Sequence, residues 1–95
     1  MASMDRPDLY VLARILDRLW GSPGPMLRTH LQVASNVNYD ILVRYLDWMR
    51  DRGLVTLEDS ADGHVRVGMT GKGQEAYRKI VQWIYDVVQG RPPAT

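Results

Sequence analysis

Two β-branched segments, Leu54-Val55-Thr56-Leu57 and Val65-Arg66-Val67, flank the run Glu58-Asp59-Ser60-Ala61-Asp62-Gly63-His64. Asp62-Gly63 is a turn signal, because both residues accept the backbone angles of the tight turns that match strand twist. The two segments therefore read as one β-hairpin. An isolated hairpin is marginal in water, so this one must lie against helices. A chain of 95 residues has room for a single core in which to do so.

The rest of the chain supplies those helices. Residues 7 to 20 place Leu12, Ile15, Leu16 and Leu19 at helical spacing, with Pro7 in the first turn. Gly21-Ser22-Pro23-Gly24-Pro25 breaks that pattern, and Pro25 can open the next helix. Met26, Leu27, Leu31 and Val33 predict a short second helix that ends in Ala34-Ser35-Asn36. Asn38 is the expected N-cap of a third helix, which carries Tyr39, Leu42, Tyr45, Leu46 and Met49 on one face and stops at Gly53. Thr70 is the expected cap of a last helix running through Gln89. Residues 1–6 read as a flexible N-terminus, 7–89 as the domain and 90–95 as a disordered polar tail. Helix, helix, helix, hairpin, helix is a mainly α fold with a small β-hairpin. It is the winged helix-turn-helix order, in which the third helix can enter the major groove of DNA.

Four stretches carry a family resemblance: Asn38-Tyr39-Asp40-Ile41-Leu42, Tyr45-Leu46, Arg52-Gly53-Leu54-Val55 and Val67-Gly68-Met69-Thr70-Gly71-Lys72-Gly73. They resemble the recognition-helix start, the core pair, the wing entry and the lead into the last helix of archaeal winged helix-turn-helix proteins of the Sso10a-like type and of small archaeal transcriptional regulators. The resemblance runs from about Leu9 to Val88. It implies DNA binding, a role in transcription regulation or chromosome packaging, and a homodimer joined through the C-terminal helices. The chain departs from the family in offering Arg28 as the one basic residue near the start of the second helix, and in carrying Asp40, Asp47 and Asp51 on the third.

Composition narrows the function classes. With 45% apolar and 24% charged residues the chain is an ordinary globular protein. It has no Cys, which removes thiol catalysis and thiolate zinc sites and fits a reducing compartment. No run approaches the ~20 apolar residues of a membrane span, and Met1-Ala2-Ser3-Met4-Asp5 lacks signal-peptide regions, so a cytoplasmic protein without membrane partners is expected. Two His residues make no metal site at a recognisable spacing, and no nucleophile stands near a base, so neither an enzyme nor a cofactor is expected. Gly71-Lys72-Gly73 is not a phosphate loop, since it lacks that motif's full pattern. Net charge is only +1, but the basic side chains are mostly Arg, which suits bidentate contact with phosphate and guanine.

Double-stranded DNA is thus the expected partner. If Tyr39, Leu42, Leu46 and Met49 face the core, Asp40, Val43, Arg44, Asp47, Arg50 and Asp51 face solvent or DNA. Asn38, Tyr39 and Asp40 sit at the helix end that usually meets base edges. Arg44 is the leading base-contact candidate, with an i,i+4 pair to Asp40 as the alternative, worth about 0.2–0.5 kcal/mol. Arg28 and Thr29 are candidate phosphate contacts, His64 and Arg66 candidate wing contacts, and Lys72 a candidate backbone contact. The acidic residues on the third helix keep a protein-interaction module open as an alternative, which exposure of Trp20 or Trp48 would favour. A sequence-tolerant chromosome-architecture protein and a ligand-responsive repressor are further variants.

Ala76, Tyr77, Ile80, Val81, Trp83, Ile84, Val87 and Val88 cover more than one side of the last helix. At about 1.5 Å per residue a helix over 71–89 is roughly 28 Å long, so part can pack on the first helix while Tyr77, Ile80, Ile84 and Val87 meet a second copy. The alternative is that all are intramolecular core. A small domain without disulfides favours the dimer.

Overall fold

The structure, a computed structural model, describes residues 6–88. The expected disordered tail, the expected helix end at Gln89 and residues 1–5 of the expected flexible N-terminus lie outside the described residues.

Helix α1 (Leu9–Trp20) begins where the Asp8 carboxylate accepts the Tyr10 and Val11 amides, at 2.8 and 3.3 Å. Pro7 therefore precedes the cap instead of occupying the first turn. The Asp8 amide donates to the Tyr45 hydroxyl at 2.8 Å, which fixes the start of α1 against the third helix. Leu12, Ile15, Leu16 and Leu19 are buried, as their spacing predicts.

Met26–Leu27 form a strand, β1, where a helix start was expected. Pro23 and Gly24 lie in the bend that leaves α1, and the residues after Pro25 pair with the open backbone edge of the wing. Helix α2 (Arg28–Ser35) consequently starts at Arg28 and not at Pro25, with extended Leu27 as an N-cap that offers no side-chain bond. Its buried residues are Leu31 and Ser35, one turn apart, and the buried Ser35 hydroxyl is satisfied by the Leu31 carbonyl. Val33 lies on the opposite side of this short helix and is 79% exposed, so it is not part of the core. Asn36, in the left-handed region at φ 54°, ends α2. The Val37 amide then reaches the Gln32 carbonyl and the Asn36 amide the Val33 carbonyl, which satisfies the last turn.

Helix α3 (Tyr39–Asp51) is capped by Asn38, whose side chain accepts the Asp40 amide at 2.8 Å. Leu42, Tyr45, Leu46 and Met49 are buried. Tyr39 is not: as the first residue of α3 it precedes the turn that enters the core, and it is 41% exposed. The C-terminus closes in the same way as that of α2. Gly53 at φ +75° lets its own amide reach the Arg50 carbonyl and the Leu54 amide reach the Met49 carbonyl, both at 2.9 Å.

Strands β2 (Val55–Asp59) and β3 (Val65–Met69) are antiparallel, in register from Val55↔Met69 to Asp59↔Val65. β1 joins the far edge of β3 through Met26↔Val67 and Leu27↔Arg66, so the expected hairpin is two strands of a three-stranded sheet ordered β1-β3-β2. Val55 and Val67 complete the core with Leu54.

Helix α4 (Gly71–Trp83) starts at the predicted cap: the Thr70 hydroxyl accepts the Gly73 amide at 3.0 Å and donates to the Gly53 carbonyl at 2.6 Å. Gly73 lies so close to the β2 entry that a Cβ there would sit 2.1 Å from the Leu54 carbonyl oxygen. The helix then widens into a π-helical turn, Ile84–Val88, which no periodicity announces. Among the described residues, no helix is long and apolar enough to cross a membrane.

Candidate nucleic-acid interface

Burial of Leu42, Tyr45, Leu46 and Met49 turns the other side of α3 outward. Asn38, Tyr39, Asp40, Ile41 and Arg44 are exposed, while Val43 and Asp47 are half-buried at the margin. Asp40 stands in the first turn, where the helix dipole favours a carboxylate. The i,i+4 pair considered for Asp40 and Arg44 does not form, and among the described residues Arg44 has no ion-pair partner. Arg50, by contrast, lies 3.7 Å from Asp47 and 3.5 Å from Asp51, so the cation of the C-terminal half of α3 is already paired. The uncompensated cation is in the N-terminal half.

A second cation, Arg28, meets the first residue of α3. The Arg28 Nη2 donates to the Tyr39 hydroxyl at 2.9 Å, with the guanidinium carbon 5.4 Å from the ring centroid. This contact ties the first residue of α2 to the first residue of α3. Thr29 and His30 are exposed in the same first turn of α2, whose leading amides have no side-chain cap. Such an end favours an anion.

On the wing, Arg66 is exposed and stands between Leu27 and Glu58 in the sheet register, on the side opposite buried Val67. Among the described residues Arg66 and Glu58 form no ion pair despite directly opposed positions. His64 is exposed at the turn. The turn is braced by Asp62, which accepts the His64 amide at 3.2 Å and the Ser60 hydroxyl. The Ser60 hydrogen bond, followed by the one from His64, holds the Asp62 carboxyl below the usual carboxylate range. Lys72 is exposed, but its stem runs beside Gly53 at the C-terminal end of α3. A helix of this length spans about 20 Å, so Lys72 is well separated from Arg28 and Tyr39.

The residues expected to meet a second copy divide. Tyr77 is held by α1: its hydroxyl donates to the Asp17 carboxylate at 2.5 Å and its ring lies 5.1 Å from that of Trp20. That hydrogen bond, and then burial, push the phenol up to about 12. Ile80 also packs on the chain's own core. Ile84 is half-buried and Val87 is 57% exposed. Val81 and Trp83, outside the expected set, are exposed as well.

Two further aromatic contacts escaped the sequence reading. Trp20 is 42% exposed with the Arg78 guanidinium 5.3 Å from its ring. Trp48 is half-buried under Arg52 at 4.0 Å, and its buried indole N–H has no partner. The i,i+4 spacing of Trp48 and Arg52 was the available signal. Ile41, exposed between Tyr39 and Arg44, was also missed, because an apolar residue next to a buried stripe gives no sign of facing out. Among the described residues no group of His, Asp or Glu is arranged to hold a metal ion.

Three helices, a three-stranded wing sheet and a following helix define a winged-helix protein. The chain belongs to the winged helix-turn-helix family, whose sequence profile matches residues 6–85. No curated protein matches it in sequence. Among solved structures it is similar to F93 from STIV, a winged-helix DNA-binding protein, with a TM-score of 0.77 at 17% identity over 87% of this chain and 96% of that one. It is also similar to the transcriptional regulator BldR of Sulfolobus solfataricus, with a TM-score of 0.75 at 19% identity over 85% of this chain and 58% of that one. The M. tuberculosis transcriptional regulator MosR, solved in complex with DNA, gives a TM-score of 0.70 at 26% identity over 90% of this chain and 64% of that one. The chain thus spans nearly all of F93 but about three fifths of the two regulators. The likeness reaches archaeal and bacterial proteins alike, and so supports the winged-helix family without singling out the Sso10a-like type.

Proposed function

We propose that this chain is a double-stranded DNA-binding transcriptional regulator that acts as a homodimer, reading the major groove with α3 and resting the β2–β3 wing on the neighbouring backbone. The observation that carries the reading is Arg44, exposed on the outer face of α3 and without an acidic partner among the described residues. Its planar guanidinium suits bidentate contact with a guanine edge. Arg28 and Thr29 at the start of α2 position the domain by phosphate contact, and Arg66 of the wing reaches a phosphate or the minor groove. The second copy docks on the last helix, through Val81, Trp83 and Val87, with Tyr77 and Ile80 serving the chain's own core. A two-fold axis then sets half-sites about one helical turn apart or a multiple of it.

The test is a titration against duplex DNA at two salt concentrations, beside an Arg44→Ala/Arg66→Ala double variant. The reading expects affinity to fall steeply with salt and the double variant to bind more weakly with a shallower salt dependence. Equal and negligible binding by both proteins would leave the protein-interaction module. Equal binding to every sequence would favour an architectural role.

A further inference from the structure

We infer that Tyr39 is a positioning residue for DNA binding, acting through Arg28: its hydroxyl holds the guanidinium in place for a backbone phosphate and so couples the phosphate grip of α2 to the register of α3. This rests on the DNA-binding reading above. The sequence offers no reason to pair the two residues, which lie on different helices. The structure brings them to 2.9 Å.

The bond is directional in a useful way. The phenol oxygen accepts from one Arg28 N–H, which leaves its own proton free for an anion. Arg28 keeps further donors on the same planar fork. No carboxylate pairs with Arg28 among the described residues, so its charge is not cancelled. The guanidinium carbon lies over the ring, 5.4 Å from its centroid, so the hydrogen bond and the ring face hold the same cation. An Arg side chain loses considerable rotamer freedom on binding a phosphate, and an arginine already held loses less. Tyr39 is the first residue of the helix capped by Asn38, so the cation is held relative to α3 itself.

The experiment is a double-mutant cycle, in which Tyr39→Phe, Arg28→Ala and the combined variant are titrated against a fluorescently labelled mixed-sequence duplex over a range of salt. Tyr39→Phe keeps the ring and the Asn38 cap, and is expected to weaken binding about fivefold with the salt slope unchanged. Arg28→Ala is expected to lower the slope by about one phosphate contact. In the Arg28→Ala background Tyr39→Phe is expected to have no further effect. The same loss in both backgrounds, or none in either, would overturn the inference while leaving the DNA reading intact. A loss that tracks a matching fall in thermal stability would also overturn it. Failure of the unmodified protein to bind duplex DNA would overturn both.

Discussion

Gly73 is the residue at which one added methyl should do the greatest damage. A Cβ there would stand 2.1 Å from the backbone carbonyl oxygen of Leu54, which cannot swing aside as a side chain can. Gly73→Ala is expected to cost roughly 1–3 kcal/mol, read as a lower urea midpoint. Tyr77 predicts an alkaline transition. Its folded-state pKa is raised from 10.0 to about 12, so the protonated phenol favours the folded chain. Its contribution is whole below about pH 10 and is lost as pH rises through about 12. Tyr77→Phe should flatten the alkaline limb of a stability profile over that window, and an unchanged limb would contradict the Asp17 contact. At this scale the sequence was readable where a residue's role is set by its own helix. Leu42 and Met49 fall on the buried stripe through their spacing alone. Tyr39 and Tyr77 do not, because each takes its place from a side chain distant in sequence, Arg28 for one and Asp17 for the other.

Elements were legible to the extent that local chemistry starts and stops them. Asn38, Thr70 and Gly53 each perform the capping role their type and position announce. Asn38→Ala is expected to cost about 1 kcal/mol and to speed amide exchange in the first turn of α3. Thr70→Ala removes both a cap and the bond to the Gly53 carbonyl, and is expected to cost about 2 kcal/mol in the same urea assay. β1 could not be read because two residues carry no period, and its identity comes from β3. The π-helical turn at Ile84–Val88 is likewise silent in the apolar spacing, whereas Tyr77 and Ile80, which precede it, face inward because of what they pack on, the Asp17 carboxylate of α1 for one and the core for the other.

The whole molecule is elongated, 53 × 33 × 23 Å, and this shape leaves Val81, Trp83 and Val87 exposed on the last helix. If they meet a second copy, sedimentation at micromolar concentration should give a dimer. Trp83→Ala/Val87→Ala should then give a monomer with unchanged helix content, and a monomeric parent protein would remove the dimer from the functional proposal. The short pairing of β1 with β3 has a consequence of its own. Met26 and Leu27 precede α2, and their partners Val67 and Arg66 follow α3 and β2, so α2, α3 and β2 together form a loop of about forty residues fastened at its base. The entropy of closing that loop is lost when the chain folds, before any nucleic acid arrives. The two helices therefore stand with their ends already tied, and on the proposed function an encounter with DNA has only the outer side chains left to arrange.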